Sequence, residues 1–494
     1  MAARPDPRRD RTVQRRTPGD PSLDIARFPA VQRLLRSRAF PLGLVVAGQV
    51  VMWLVVAAGF LGAAVPGRNF ATVFTWYFWF AVFLLLTVTV GRGWCLVCPF
   101  GGQAQWLQRL SFTGRGRRSL TLGWTWPARW GRWGLIVSAG LFILVTWAEE
   151  FFRAAAPGDP VFTAYFALFM IALALATFLL FERRTFCRYL CPLSAVVGVA
   201  GATGVVAGFR ARNPDRCLTC ATKACVRDAQ DGHGCPWYVW PASAESNLLC
   251  GLCAECFKRC PYDNVGLFVQ PPLTSVVEPS HRRLDAAWAV ALLLGLAVFQ
   301  QVNALSAYRR LDAWLNRALH FPGYPNPLDY VGIICLVAAV AGGGVWLTMR
   351  ALRREGPPAE GGSFAQWFTP LMYGLSPLMA SDILARQLPK LWGHVLSVLP
   401  AAANPFALHR GLWGASASPL WHLRLVAPGA VVPTQLVVVG AGLAASLYAT
   451  ARIVRGELDG MTDRPRLVHA VSTAAILGVG AAIALLYLAM RGTP

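Results

Sequence analysis

Nine apolar stretches of about 20 residues run through this 494-residue chain, and they constrain its fold more than any other feature. About 20 consecutive apolar residues form a helix long enough to cross the hydrocarbon core of a bilayer. Charged residues make up only 14% of the chain, too few to cover a soluble protein of this size. The sequence therefore predicts an all-α polytopic membrane protein. The nine helices are expected near residues 40–62, 70–90, 132–152, 160–181, 286–306, 328–349, 364–384, 431–451 and 467–490.

The basic residues predict how the chain is oriented. Its formal net charge is +22, which in a membrane protein more often marks cytoplasmic loops than a nucleic-acid partner, so we expect no nucleic acid. With the N-terminus inside and the helices alternating, the inside segments hold 36 Lys and Arg and the outside segments hold 10. The first apolar stretch is too long for a signal-peptide core, so we expect an uncleaved anchor. These counts predict a multi-pass protein of the bacterial inner membrane with a cytoplasmic N-terminus.

The cysteines carry the strongest chemical signal. The segment LLCGLCAECFKRCPYDN spaces Cys250, Cys253, Cys256 and Cys260 as C-x-x-C-x-x-C-x-x-x-C, followed by Pro261. Bacterial ferredoxins use this run to hold a 4Fe–4S cluster, and in two-cluster ferredoxins the fourth cysteine ligates the other cluster. Zinc sites usually combine two C-x-x-C pairs across a longer loop, so the tight run fits zinc poorly. Because the fourth cysteine would ligate a second cluster, a second run of cysteines is expected nearby.

That partner run is RCLTCATKACVRDAQDGHGCPW, in which the last cysteine again precedes a proline. Its spacing is longer than the standard run before the third and fourth cysteines. The crossover pattern predicts two 4Fe–4S clusters. One would be held by Cys217, Cys220, Cys225 and Cys260, and the other by Cys235, Cys250, Cys253 and Cys256. One cluster together with a zinc or degenerate site remains the alternative.

Two further cysteine pairs lie at the predicted membrane border. Cys95 and Cys98 follow the second apolar stretch in GRGWCLVCPFGG, and Cys187 and Cys191 follow the fourth in RRTFCRYLCPLSA. On the predicted topology both pairs face the cytoplasm. Four such thiols could hold a third cluster or another metal, or act as dithiol and disulfide pairs. Four buried, inert cysteines are the remaining possibility.

These motifs divide the chain into four predicted regions. Residues 1–39 are expected to form a disordered basic tail, because they are rich in Arg, Pro and Asp and poor in apolar residues. Residues 40–209 form a four-span module with the two Cys-Pro motifs. Residues 210–285 form a small cytoplasmic α+β ferredoxin-like insert with two clusters, and residues 286–494 form a C-terminal module of about five spans.

The repeated spans ending in Cys-Pro motifs, followed by a ferredoxin-like segment, resemble the NosR/NapH/CcoG group of membrane polyferredoxins over residues 70–270. Cys187, Cys191 and Pro192 match the group's C-x-x-x-C-P motif, whereas Cys95 and Cys98 have two residues between them instead of three. The resemblance implies electron supply to, or maturation of, a respiratory reductase. For CcoG relatives it implies copper reduction during oxidase assembly. The final 210 residues have no counterpart in the group.

The residues outside the cysteines predict less. Three histidines, His394, His409 and His422, fall in predicted extracytoplasmic segments and could bind haem or a metal. The alternative is that they are interfacial histidines with ordinary hydrogen bonds. Glu149 and Glu150 end the third stretch. Polar residues at membrane depth can mark a quinol or proton site, while a solvated carboxylate is usual at the end of a span.

The sequence predicts electron transfer between a cytoplasmic or quinol donor and a membrane or extracytoplasmic acceptor. The expected partners are the lipid bilayer and a redox protein or quinol, and no oligomeric state is predicted. An assembly factor that reduces copper or thiols on a client oxidoreductase is the main alternative. A transporter with a regulatory iron–sulfur domain is favoured less, because the first four spans carry almost no charge.

Overall fold

The protein is described by a computed structural model covering residues 22–37, 39–112, 119–152, 159–227, 233–244, 246–354, 361–408 and 412–490. These residues are mostly helical, with a few short strands. His409 of the sequence prediction lies outside them. The structure divides into two compact units, which are described separately.

A long helix overlaps most or all of each of the nine apolar stretches. The helices are α1 (Leu42–Leu61), α2 (Phe70–Val90), α3 (Gly134–Phe151), α4 (Pro160–Leu180), α5 (Leu284–Val302), α6 (Pro327–Leu352), α7 (Phe364–His394), α8 (Pro428–Met461) and α9 (Pro465–Ala489). All but α7 are long and apolar enough to cross a membrane. The chain is therefore a multi-pass membrane protein, and the count of nine spans stays a prediction.

Helix α7 differs from the other long helices in composition. It runs for 31 residues, contains three internal prolines and carries charged residues in its second half. A proline removes one backbone donor and frees the carbonyl four residues before it. At Pro389 the freed carbonyl belongs to Ala385, and the Gln435 side chain of α8 donates to it at 3.1 Å. A neighbouring helix therefore supplies the missing donor.

Shorter helices connect the long ones. They span Pro29–Arg36, Trp94–Val97, Pro99–Arg109, Ala128–Gly131, Leu193–Gly201, Pro214–Leu218, Glu255–Lys258, Thr274–Val277, Ser306–Leu319 and Val398–Ala403. Two of these helices, Pro99–Arg109 and Leu193–Gly201, begin directly after the Cys-Pro motifs.

Three strands form a small antiparallel sheet in the order β1-β3-β2. They are β1 (Leu23–Asp24), β2 (Val206–Ala211) and β3 (Val265–Val269). Val269 pairs with both Leu23 and Val206, so the first strand comes from the N-terminal tail.

The prediction of a disordered tail is wrong for residues 22–37. Besides forming β1, this segment is held by Asp24, whose carboxylate accepts from the Ala26 N–H at 3.0 Å and from Arg212 Nε at 2.8 Å. A carboxylate with a backbone donor and a half-buried arginine partner is well compensated. Residues 1–21 of the predicted tail lie outside the described residues. Arg212 lies 188 residues away from Asp24 in the chain, so composition alone could not reveal this contact.

The compact units do not follow the predicted linear regions. The first unit comprises Met1–Trp53, Leu86–Val137 and Ala167–Ser275, and the second comprises Leu54–Leu85, Ser138–Phe166 and Val276–Pro494. The two Cys-Pro motifs and the ferredoxin-like segment therefore belong to one compact unit, although the sequence assigned them to different regions.

Candidate functional site

Each Cys-Pro motif places a cysteine where a helix begins. Cys98 precedes Pro99 at the start of Pro99–Arg109, and its sulfur accepts from the backbone N–H groups of Gly101 and Phe100. Cys191 precedes Pro192 and accepts from the N–H of Leu193. Unpaired N–H groups at a helix start stabilise negative charge, and proline there loses no bond. Each motif therefore presents one sulfur, that of Cys98 or Cys191, to N–H donors that favour the thiolate.

The structure brings the two motifs together. The Cys191 thiol interacts electrostatically with Cys187, Cys98 and Cys95. A side-chain carbon at Gly101 would lie 3.2 Å from the Cys187 sulfur, so the first motif's helix packs directly on the second motif's cysteine. We call Cys95, Cys98, Cys187 and Cys191 the border set.

The surroundings of the border set do not favour a free nucleophilic thiolate. Burial raises the pKa of Cys98 to about 11 and that of Cys187 to about 12, and it raises the pKa of Cys191 well above its usual range. Reactive cysteines have lowered pKa values and partial exposure. A metal can replace the protons on such buried thiols, because coordination stabilises the thiolate.

The second group comprises Cys217, Cys220, Cys225 and Cys260, here called set A. The Cys225 thiol interacts with the other three, and burial raises its pKa to about 12. Asn264 connects two members: its backbone N–H donates to Cys260 Sγ at 3.2 Å, and its side chain donates to Cys217 Sγ at 3.3 Å. Donors to sulfur stabilise ligating thiolates and set cluster potentials.

The third group comprises Cys235, Cys250, Cys253 and Cys256, here called set B. The Cys256 thiol interacts with the other three and also with Cys225 of set A. Backbone N–H groups donate to three of these sulfurs: from Trp237 and Val239 to Cys235, from Phe209 and Leu252 to Cys250, and from Glu255 to Cys253. Sets A and B are therefore neighbours.

The loop that carries set B has an unusual backbone. Leu252 and Ala254 take φ values of 53° and 60°, in the left-handed region that non-glycine residues rarely occupy. Alternating right- and left-handed residues turn successive N–H groups toward one concave site, which suits an anion. A side-chain carbon at Gly251 would lie 2.2 Å from Trp237 Nε1, so glycine is required there.

Two arginines and a tryptophan lie between the border set and set B. The Arg92 and Arg184 guanidinium groups lie 5.2 and 5.6 Å from the centre of the Trp237 ring. Arg184 interacts with Cys98 and Cys187 of the border set and with Cys253 of set B. We call Arg92, Trp237 and Arg184 the arginine–tryptophan bridge.

Sequence reasoning missed this bridge, although the chain held a signal for it. Arg92 stands three residues before Cys95, and Arg184 stands three residues before Cys187. Arg92 is fully buried and donates to the Ser194 backbone carbonyl at 3.1 Å and to its hydroxyl at 2.9 Å. The repeat is therefore R-x-x-C ending in C-P.

The donor chemistry of all three sets fits iron–sulfur clusters. Each set offers four thiols, and N–H groups donate to at least two of the sulfurs in each set. Among the described residues, no three His, Cys, Asp or Glu side chains lie close enough to bind one metal ion. A tetrahedral zinc ion would draw four sulfurs to within about 4 Å of each other. Each thiolate of a 4Fe–4S cluster binds a different iron, so such a set is wider.

Two of the three histidines of the predicted site, His394 and His422, lie among the described residues. His394 stacks on Tyr77 with ring centres 4.3 Å apart, and His422 is exposed after a short turn. Among the described residues, neither side chain belongs to a group of three or more residues that could bind a metal ion. The His394 ring has an aromatic packing role instead.

A cavity of about 620 Å³ lies beside Cys260 of set A. Its lining includes the cations Arg36, Arg109, Arg184, Lys258 and Arg259, together with Glu255. Trp106 and Phe40 contribute apolar walls. Arg109 is only 5% exposed, and its Nη1 has no partner. The cavity therefore offers positive charge next to a candidate cluster ligand.

Comparison with known families identifies the chemistry of this unit. The family model for a 4Fe–4S binding domain matches residues 72–119 and 163–207. Each matched segment contains one Cys-Pro motif, so the two matches together contain the whole border set. The chain is a ferredoxin-type, iron–sulfur membrane protein. No curated protein and no solved structure matched the chain.

Proposed function

We propose that this protein is a membrane-bound electron carrier in which set A, set B and the border set each hold a 4Fe–4S cluster. The single observation that carries the proposal is the adjacency of the three sets within one compact unit. Cys225 and Cys256 link set A to set B, and the arginine–tryptophan bridge links set B to the border set. Bound clusters would supply one-electron transfer.

The residues around the sulfurs have separate tasks in this proposal. Backbone N–H groups and Asn264 stabilise the thiolates and fix their orientation. Arg92 and Arg184 place positive charge beside two sets, which favours the more negative, reduced form of a cluster. Both guanidinium groups pack on the ring of the fully buried Trp237, which holds them near the two sets.

The charge of the cavity and the predicted topology support one direction of electron flow. The cavity beside Cys260 has an excess of cations, which suits an anionic docking group on a cytoplasmic donor. The border set lies directly after α2 and α4 in the chain, so we place the exit toward the membrane there. We propose a cytoplasmic location for the cluster-bearing unit on the basis of the 36-to-10 count of basic residues. A membrane or extracytoplasmic protein would then be the acceptor, and a quinol would be the alternative donor.

The alternative is an assembly factor that reduces copper or client thiols. The raised pKa values of Cys98, Cys187 and Cys191 disfavour a dithiol exchange role, because exchange requires an accessible thiolate. The proposed resemblance to the NosR/NapH/CcoG group is compatible with either role.

The test uses sealed membrane vesicles that contain the full-length protein. A membrane-impermeant reductant is added on the face that exposes residues 217–260, and reduction of an impermeant acceptor on the other face is recorded. Cys225→Ser and Cys98→Ser should each reduce the rate at least tenfold. Cys335→Ser is the matched control, because Cys335 lies in α6 outside all three sets, and it should keep the wild-type rate. Equal rates in all four proteins would contradict the proposal.

A further inference from the structure

The second compact unit contains a buried carboxyl that electron transfer does not use. Asp382 lies about three turns before the end of α7 and is fully buried. Its Oδ1 accepts from Gln301 Nε2 at 2.5 Å and from the Tyr487 hydroxyl at 3.0 Å. Its Oδ2 has no partner, and neither has the Oε1 of the fully buried Gln301. Two unpaired acceptor oxygens in a buried site favour a bound proton or cation.

Two cations follow Asp382 along the same face of α7. Arg386 and Lys390 stand four and eight residues later, so the three side chains form one stripe on the helix. Arg386 interacts electrostatically with Asp382 and with Glu150 at the end of α3. Lys390 interacts with Arg386, Glu149 and Glu150. The stripe therefore connects the buried carboxyl to two half-buried carboxyls at a helix end.

The charges of this cluster do not balance. Asp382, Glu149 and Glu150 carry three negative charges when ionised, and Arg386 and Lys390 carry two positive charges. A net charge inside a low-dielectric membrane protein is strongly unfavourable. One added proton makes the cluster neutral.

The other elements around the cluster do not supply the missing positive charge. Helix α5 contributes the Gln300 backbone carbonyl, which accepts from Arg386, and Asn303, which donates to Glu150 at 2.9 Å. Helices α6 and α9 contribute the neutral phenols of Tyr330 and Tyr487. Helix α8 contributes the Gln435 amide. The Tyr324 hydroxyl donates to Asn303. Tyr324 also faces four charged groups, three carboxylates and one guanidinium: Glu150, Asp312, Asp329 and Arg309.

We propose that Asp382 is a proton-binding site, and that it exchanges its proton through the Glu149 and Glu150 end of the cluster. On uptake, a proton adds to the unpaired Asp382 Oδ2 and forms an O–H bond; on release that bond breaks and the proton passes to a neighbouring carboxylate. Arg386 stays protonated throughout and stabilises whichever carboxylate is ionised. The site gives the C-terminal helices a function in proton exchange that is independent of the iron–sulfur chemistry.

The test is an infrared titration of the purified full-length protein, following the C=O stretching band of a protonated carboxyl that shifts in deuterated water. The wild type should show this band at neutral pH. Asp382→Asn and Glu150→Gln should each remove it, because either change balances the charges without a proton. The matched control is Asp285→Asn: Asp285 is similarly buried, but both of its oxygens bind Arg283 at 2.9 Å. This control should keep the band.

A second pair of variants tests the charge balance itself. Arg386→Gln removes one positive charge, so the band should roughly double, whereas Arg386→Lys should leave it unchanged. Iron content is recorded for every variant and should stay at the wild-type value, which separates this site from the clusters. Absence of the band in the wild type, or its persistence in Asp382→Asn, would overturn the assignment.

Discussion

The two compact units bury polar groups in opposite ways. In the first unit, twelve cysteines are gathered into three sets, and backbone N–H groups point at many of their sulfurs. In the second unit, single charged residues from α3 and α7 meet in one cluster without a repeated motif. Thiols of raised pKa require metal to become thiolates, while the carboxyl cluster requires only one proton. The two buried sites therefore differ in what must bind to stabilise them, which is metal in the first unit and a proton in the second.

Replacing a ligand of set B should have the largest effect. Cys253→Ser removes one of four thiolates from a buried site, and the remaining three would be left protonated by burial. We expect the loss of about four irons per chain, measured by iron and sulfide analysis after anaerobic purification. Cys335→Ser should retain all of its iron, since this residue belongs to the second unit. Full iron content in Cys253→Ser would remove set B from the account.

The border set should respond as one group. Replacing any one of Cys95, Cys98, Cys187 and Cys191 by Ser should abolish electron transfer and leave the clusters of sets A and B assembled. The quadruple variant should be no worse than a single one, because ligands of one site act non-additively. Two independent dithiol pairs would instead leave partial activity when one pair is lost. Wild-type activity in the quadruple variant would make these cysteines structural.

Removing a cation from the arginine–tryptophan bridge should lower reduction potentials. Arg184 interacts with thiols of the border set and set B, and the reduced state of either cluster carries the greater negative charge. Arg184→Gln should cost on the order of 2 kcal/mol of this stabilisation, or roughly 90 mV for one electron. Arg184→Lys keeps the charge and should shift less. Redox titration followed by EPR measures both variants, and unchanged potentials in Arg184→Gln would exclude the electrostatic role.

The smallest expected effect is at Asn264. Asn264→Ala removes the side-chain donor to Cys217 Sγ but keeps the backbone donor to Cys260 Sγ. One hydrogen bond contributes about 1 kcal/mol, so we expect the potential of set A alone to fall by roughly 40 mV. Set B serves as the internal control in the same titration. A shift in both sets, or in neither, would contradict a local role for Asn264.

The sequence predicted where the long helices lie better than it predicted which residues contact each other. A long helix overlaps each of the nine apolar stretches, because hydrophobicity over about 20 residues is a local property. Iron–sulfur chemistry was predicted from the cysteine spacing and is confirmed by the family match. The grouping of the cysteines into sets A and B stays a prediction that the structure is consistent with.

Contacts between distant residues could not be predicted. Asn264 reaches Cys217 across 47 residues, and Asp24 reaches Arg212 across 188. The sequence could not identify the partners of Asp382, because Gln301 and Tyr487 are 81 and 105 residues away. Local spacing identifies candidate ligands. The hydrogen-bond donors and counter-charges that stabilise their charged forms come from other elements of the fold.

The central claim is that three four-cysteine sets hold three clusters, and iron stoichiometry tests it most directly. Full-length protein purified anaerobically should contain about twelve irons and about twelve acid-labile sulfides per chain, with EPR signals of 4Fe–4S clusters after reduction. The border-set quadruple Ser variant should contain about eight of each. A wild-type value near eight, unchanged in that variant, would contradict the third cluster, and zinc in place of iron would contradict the account as a whole.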